Sequence, residues 1–320
     1  MHQPSSSRSA ASAQAGNAAG HDIAAEHDIP REVELKLALG DGAERALSDH
    51  PALAGVEPTR RRLANVYFDT PTGDLERERV ALRLRGDGEH FVQTVKTAGK
   101  GRGGLHARGE WETPVEHEAL DPAWLASLGL APLDQPAVLA KLAPVYRTDF
   151  YRTCWQLENE THHIELAFDT GEIVVGAQQV PIHELELELK RGDQTALWIL
   201  ADTLAERCAL RPANASKAAR AASLRDGERS QPGEELAGDA MTGPDACFER
   251  AIDALDAWQD TRRYEHLDAA RRSLDLLARQ DDPAVAMPAG RLADALAHPA
   301  WLNTGFGRQC LTLMKRLYSS

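Results

Sequence analysis

Glu32-Val33-Glu34-Leu35-Lys36 alternates charged and apolar side chains. In a β-strand, successive side chains point to opposite faces. Val33 and Leu35 therefore form an apolar stripe, and Glu32, Glu34 and Lys36 form a charged one. Leu82-Arg83-Leu84-Arg85 follows the same pattern, as does Glu184-Leu185-Glu186-Leu187-Glu188-Leu189. Farther along, one face collects Arg108, Glu110 and Glu112, and another Glu165 and Asp169, while the strand at 91–97 carries Lys96. A single such stripe is what any half-buried strand shows to water. Several nearly single-signed strands are different, because like charges placed opposite one another destabilise a sheet. A glutamate row is stable where metal or opposing cations sit on it. Paired carboxylates collect divalent cations, and arginines collect phosphate oxygens. If these strands close into a barrel, the charged face becomes a lumen able to focus an anionic ligand.

Working outward, strands are expected at 31–39, 59–69, 79–86, 89–97, 105–115, 145–158, 162–169, 172–176 and 179–190. Gly86-Asp87-Gly88 is a hairpin signal. Pro71 to Asp74, Gly171 and Gly176-Ala177 read as turns. Helices are expected at 42–50, at 193–208 behind Asp193 as N-cap, and at 216–225, with 118–142 interrupted by Pro122, Pro132 and Pro136. Residues 226–243 are rich in Gly, Pro, Ser and acids and read as a linker. Residues 244–320 read as short helices, with Pro244 in a first turn, forming a small bundle or docking on the strands. Residues 1–30 read as a disordered lead-in. The chain thus divides into 1–30, 31–225, 226–243 and 244–320.

The chain has 320 residues and a formal net charge of −13. That charge argues against a general nucleic-acid binder. No apolar run suits a membrane span, and the first residues contain no apolar core of a secretory leader. Cys154, Cys208, Cys247 and Cys310 are widely spaced, which suits reduced thiols rather than a disulfide framework or a zinc site. The expected location is the cytoplasm. Lys96 to Gly104 has neither the spacing nor the following helix of a P-loop, and reads as a rim loop whose Lys100 and Arg102 attract anions. His162 and His163 are adjacent, so they point to opposite faces. The run Arg60-Arg61-Arg62 reads as the solvated end of a strand, and if one of the three turns to the charged side, alternation with Ala64 and Val66 favours Arg62.

These motifs occur in a telling order. After Glu32-x-Glu34-x-Lys36 come Tyr67-Phe68-Asp69-Thr70-Pro71, Leu82-Arg83-Leu84-Arg85, Val95-Lys96, Gly103-Gly104-Leu105-His106-x-Arg108, Asp149-Phe150-Tyr151-Arg152, Glu184-Leu185-Glu186-Leu187-Glu188 and Ser216-Lys217-Ala218-Ala219-Arg220. Together they resemble the CYTH superfamily of triphosphate tunnel metalloenzymes, over about residues 31–222. Within it they are most similar to bacterial inorganic triphosphatases with a C-terminal helical extension. The resemblance implies an α+β fold: a closed antiparallel barrel of eight strands with flanking helices, then a small all-α region. It implies Mg²⁺ or Mn²⁺ and a small anionic triphosphate substrate, with neither nucleic acid nor membrane as partner.

By matching motif, Glu32 and Glu34 would be metal ligands. Glu186 and Glu188 would stand at the opposite wall, with Glu184 assisting. Lys36, Arg83, Arg85, Lys96, Arg108, Arg147 and Lys217 would hold phosphate oxygens, with Arg62 at the mouth and Arg152 as the alternative to Arg147. The expected reaction is hydrolysis of the terminal phosphoanhydride. Glu186 or Glu188 would accept the proton of the attacking water, and Lys36 would complete the catalytic set. Related triphosphatases often end in a CHAD domain, a helical module associated with polyphosphate. Residues 244–320 would be a shortened CHAD-like version. Its Arg262-Arg263 and Arg271-Arg272 pairs would meet polyphosphate or simply form a solvated helix face. Three readings compete: a class IV-type adenylyl cyclase, a thiamine or nucleoside triphosphatase, and a polyphosphate-binding module without catalysis. Carboxylates on two strands favour catalysis, since a pure binder needs the cations more.

Overall fold

The computed structural model describes residues 31–88, 90–97, 100–102, 105–226 and 243–318, apart from the side chains of residues 31, 32, 100–102, 106–108 and 226. The segments expected as lead-in and linker lie outside the described residues, except for 226 and 243. The described chain is α+β. Its centre is one antiparallel sheet with strand order β10-β1-β9-β8-β7-β2-β3-β4-β6-β5. The strands are β1 (Arg31–Leu39), β2 (Thr59–Asp69), β3 (Ala81–Gly86), β4 (Phe91–Lys96), β5 (Lys100–Arg102), β6 (Leu105–Val115), β7 (Ala143–Glu158), β8 (His163–Val175), β9 (Gln178–Arg191) and β10 (Leu210–Pro212). One edge of β1 pairs with β9. Its other edge is shared, with Arg31–Leu35 on β6 and Leu37–Leu39 on β10.

Among the described residues the sheet counts ten strands, two more than the expected eight. The two additions, β5 and β10, are three-residue pieces too short to leave a period in the sequence. Gly171 is not a turn. β8 runs straight through it, and a Cβ there would stand 2.2 Å from the Asp149 carbonyl oxygen of β7. The glycine marks a close approach of two backbones inside a long strand.

Alternation sorts the two faces of the sheet. Leu35 and Leu37 of β1, and Leu185 and Leu187 of β9, are buried on the outer face. They share one core with Leu197, Trp198 and Leu204 of α5 (Thr195–Ala205). Each such leucine contributes about 1.5–3 kcal/mol by leaving water. The same core takes in α7 (Pro244–Thr261), α8 (Tyr264–Leu277), α9 (Pro283–Ala295) and α10 (Thr304–Tyr318), through Phe248, Leu255, Leu274, Leu292 and Leu313. The C-terminal helices are therefore docked on the sheet. Gly307 of α10 allows this, since a Cβ there would meet the Leu210 carbonyl oxygen of β10 at 2.3 Å.

A second apolar cluster covers the outer face of β3 and β4. It is built by α2 (Asp74–Arg77), α3 (Pro122–Ser127) and α4 (Pro136–Leu139) around Leu82, Val95 and Leu125. Asp121 starts α3 by accepting the N–H groups of Ala123 and Trp124 at 3.0 Å, with Pro122 behind it. The charged face of the sheet ends in a third cluster. There Leu63, Phe150, Ile173 and Ile182 pack with Ala221 of α6 (Lys217–Asp226). The helix α6 thus lies against one end of the charged face.

Candidate active site

Strand register sets the charged side chains in rows. Glu34 of β1 stands opposite Glu188 of β9, which stands opposite Glu165 of β8. One step along, Lys36 is opposite Glu186. One step further, Glu184 is opposite Asp169, and Asp169 is opposite Arg152 of β7. Glu186 and Glu188 were expected across from Glu34. They are instead on the strand hydrogen-bonded to it, because β1 and β9 pair antiparallel in this register. A cavity of about 1040 Å³ opens over these rows, lined by Glu34, Glu165, Glu186 and Glu188 together with Lys36, Arg83, Arg85, Lys96, Arg152 and Lys217.

The middle rows form a closed ionic network. Lys36 Nζ donates to Glu184 Oε1 at 3.2 Å and to Glu186. Lys217 Nζ donates to Asp169 Oδ2 at 2.7 Å, to Glu186 Oε1 at 3.2 Å and to Glu184. Arg152 donates two bonds of 2.7 Å to Asp169 in a bidentate fork, and a further one to Glu186. Burial alone would lower the Lys36 ammonium, but Glu184, Glu186 and Glu34 outweigh it and hold the pKa well above the usual lysine range. Burial alone would raise Glu186, but Lys217, Lys36 and Arg152 hold it well below the usual carboxylate range. Asp169 and Glu184 are lowered in the same way, against their own burial, chiefly by Arg152 and by Lys217. An ammonium has three donors, and Lys217 spends all three on carboxylates.

The wall formed by β3, β4 and β6 is built differently. Lys96 lies 3.0 Å from Glu110 Oε2, and Arg83 Nη2 is 3.6 Å from Glu110 and 3.5 Å from Glu112. The Nε–H of Arg83 is buried without an acceptor among the described residues. Arg85 Nε donates to Asn65 Oδ1 at 3.1 Å, and Asn65 is fixed by Thr148 Oγ1 at 3.0 Å. Burial, with the like charges of Arg83 and Arg152, pushes the Arg85 guanidinium down to about 10. A buried cation held down by its neighbours is stabilised by an incoming anion. Tyr67 stacks on Tyr146 with ring centroids 4.4 Å apart. Burial favours its neutral form, but Arg83, Lys217 and Arg85 outweigh that and lower its pKa.

Of the residues expected here, Glu34, Glu186, Glu188, Lys36, Arg83, Arg85, Lys96 and Lys217 line the cavity, and Glu184 lies buried directly behind it. Glu32 and Arg108 stand opposite each other on β1 and β6, with side chains outside those described. Two expectations fail. Arg147 is exposed and turned to Asp149 at 3.2 Å, because Tyr146, Thr148, Phe150 and Arg152 hold the inward parity of β7. Arg62 is exposed for the same reason on β2, where the parity of Asn65 and Tyr67 is that of Arg61. Arg152 replaces Arg147. Asp169 was missed as a network member, although its alternation with Glu165 was visible.

Asp169, Glu184 and Glu186 each place a carboxylate oxygen within 4.8 Å of the others. Hard carboxylate oxygens suit Mg²⁺ or Mn²⁺. In this group, however, Lys36, Lys217 and Arg152 already supply the positive charge. In the row Glu34, Glu188 and Glu165, three carboxylates stand side by side on neighbouring strands, where a divalent ion would relieve their repulsion. Lys190 Nζ, 2.6 Å from Glu188, is one cation beside that row.

The model of the CYTH domain matches residues 30–222. This chain belongs to the CYTH domain family. An inorganic triphosphatase of Haemophilus influenzae is 36% identical over 198 residues, covering 61% of this chain and 55% of that protein. The CYTH chain described here thus spans about half the length of that curated relative. Among solved structures, a protein from Hippeastrum described as having a dominant triphosphatase activity is similar at 20% identity. It covers 61% of this chain and 96% of its own, with a TM-score of 0.49. A Pyrococcus horikoshii protein is similar at 19% identity, covering 55% and 89%, with a TM-score of 0.36. Neither structural likeness carries an argument about activity.

No described helix is long and apolar enough to cross a membrane. The four arginines expected to meet polyphosphate do not assemble into one site. Arg262 lies over the Trp258 ring at 4.3 Å, Arg263 pairs with Glu265, and Arg271 and Arg272 are exposed on α8.

Proposed function

We propose that this CYTH protein hydrolyses the terminal phosphoanhydride of inorganic triphosphate with a divalent metal ion, Mg²⁺ or Mn²⁺. The observation that carries this reading is the composition of one cavity. Lys36, Arg83, Arg85, Lys96, Arg152 and Lys217 are among the cations that line it, beside the carboxylate row of Glu34, Glu188 and Glu165. The identity to an inorganic triphosphatase supports the choice of substrate. On this reading β1, β9, β8, β7, β2, β3, β4 and β6 surround the substrate as a tunnel. The pairing of β1 with both β9 and β6 supports that closure.

Lys36, Arg83, Arg85, Lys96 and Arg152 neutralise phosphate oxygens, and the Arg83 Nε–H, which has no acceptor among the described residues, supports such a role. Lys217 joins them by exchanging a carboxylate for a phosphate oxygen. Glu34, Glu188 and Glu165 hold the metal, with Glu32 one alternation before Glu34. A bound divalent ion supplies Lewis-acid charge and an acidified water. Phosphoryl transfer then needs mainly positioning and charge neutralisation. Glu186 is a weak base, because three cations hold it ionised. Glu188, the other carboxylate expected to accept the proton of the attacking water, would take it on an oxygen that neither the metal nor Lys190 engages.

One observation favours a second substrate class. Trp111, Trp124 and Leu128 also line the cavity, giving room for an organic group on the triphosphate. Phosphate release should be compared for tripolyphosphate, ATP and thiamine triphosphate, with metal and with chelator, and cyclic AMP assayed in the ATP reaction. Metal-dependent release fastest with tripolyphosphate is expected. Cyclic AMP as the main product, or metal-dependent binding without release, would overturn the reading.

A further inference from the structure

The helix α7 carries Glu249, Asp253, Asp256 and Asp260 at helical spacing, on the face turned toward residues 211–220. Each carboxylate has a partner there. Asp256 Oδ1 accepts from buried Arg211 at 2.6 Å, and its Oδ2 accepts the N–H groups of Asn214 and Ala215, each at 2.8 Å. Asn214 Nδ2 donates to Glu249 and to Asp253, also at 2.8 Å. Asp260 receives a bidentate fork from Arg220, at 3.0 Å from Nε and 2.6 Å from Nη2. Arg220 also donates to the Pro181 carbonyl at 2.6 Å and stands 3.6 Å from Glu184 Oε2. Lys217 lies between these anchors, two residues after Ala215 and three before Arg220. Its own ammonium reaches the ionic network at the floor of the site.

We propose that this carboxylate ladder is a positioning element of the active site. Asp256 and Asp260 set where Lys217 and Glu184 stand, so the C-terminal helices act on the reaction through α6 without touching substrate. The chemistry of the face supports this: it is acidic and engages the chain's own cations, the reverse of a polyanion-binding surface. Asp260 also holds Arg220 back from Glu184. Without it, a buried guanidinium would turn to the nearest remaining carboxylate and alter the charge balance around Lys36 and Lys217. The effect on hydrolysis rests on the tripolyphosphate reading, but the geometric effect does not.

The test has two independent readouts. Lys217 reactivity is measured in the full chain by brief acetic anhydride labelling and peptide mass spectrometry. KM and kcat for tripolyphosphate are measured at saturating Mg²⁺. Asp260→Asn keeps shape and removes charge, Asp256→Asn does the same at the other anchor, and Asp260→Glu is the conservative rescue. Asp268→Asn on exposed α8 is the control. Both Asn variants are expected to raise Lys217 labelling selectively and KM by about 2–30-fold, with kcat less affected. Asp260→Glu should recover most of both, and the control should change neither. Unchanged Lys217 labelling in both Asn variants would overturn the proposal, as would a rise spread over all lysines, which signals general loosening. If labelling responds but the wild type releases no phosphate, the positioning role stands and the substrate reading falls.

Discussion

Two carboxylate groups meet at one cavity and behave as opposites. Asp169, Glu184 and Glu186 are buried and saturated by Lys36, Lys217 and Arg152. Glu34, Glu188 and Glu165 line up across three neighbouring strands, with Lys190 beside them. The first group satisfies a geometric test for a metal site better, since its oxygens already converge. Yet its charge is already balanced, so an added dication gains little there. The second group is where strand pairing sets like charges side by side. Convergence of ligands and local charge balance are thus separate guides to a metal, and here they point to different groups.

The largest expected effect tests the saturated group. Lys36→Met removes one buried partner of Glu184 and Glu186 and should cost about 3–5 kcal/mol of stability, read as a lower urea midpoint. It should also make the protein more acid-sensitive. Glu186, Glu184 and Asp169 are depressed in the fold, so their stabilisation is present above their unfolded values and is lost as pH falls through the folded ones. Weakening the network moves that loss to higher pH. A variant as stable as the wild type would mean that the cluster does not depend on its cations.

Arg85→Met comes next. Removing a buried cation that lacks a carboxylate ion pair among the described residues should leave stability little changed. It should weaken tripolyphosphate binding by about 1.5–3 kcal/mol, seen as a higher KM. An unchanged KM would remove Arg85 from the phosphate wall. Glu34→Gln with Glu188→Gln should then raise the metal concentration for half-maximal rate at least about tenfold. Without metal the same double variant gives up the Glu188–Lys190 pair and the Glu34 charge near Lys36 while relieving a like-charge contact, so its stability should change by less than about 1 kcal/mol. If it loses stability and keeps its metal response, the two carboxylate groups have been assigned the wrong way round.

The smallest expected effect is on α7. The Asp253 carboxyl is pushed up to about 6 from an ordinary 3.8, first by desolvation against the 214 segment and further by Asp256 and Glu249. An acid raised in the fold favours the folded state while protonated, so this contribution is lost as pH rises from 3.8 through about 6. Asp253 is exposed at its edge, which limits the effect. Asp253→Asn should therefore gain less than about 1 kcal/mol at pH 7.5. The gain should vanish below pH 3.8 when urea midpoints are compared.

Much of this was legible along the chain, residue by residue. The alternation in 32–36, 82–85 and 184–189 placed Glu34, Lys36, Arg83, Arg85, Glu186 and Glu188 on one face, and each is there. Period two is a local property of the backbone, so it survives folding unchanged. Arg62 and Arg147 were misplaced for the same reason. Parity must be counted from a residue known to face inward, and on β2 and β7 that reference is the Tyr67–Tyr146 stack, a contact between strands distant in sequence. Gly171 looked like a turn because sequence alone does not distinguish a glycine that bends a chain from one that admits a neighbouring backbone.

By itself the sequence determined which side chains are charged, which strands carry them and which of them share a side of a strand. Only the tertiary structure decided which strands are neighbours, and through that the chemistry of the site. Antiparallel register set Glu34 beside Glu188 and Lys36 beside Glu186. Docking of α7 brought Asp256 and Asp260 against the segment that carries Lys217. Coulomb interactions depend on distance in space. Distance in space is set by pairing and packing between remote segments, which no local pattern records.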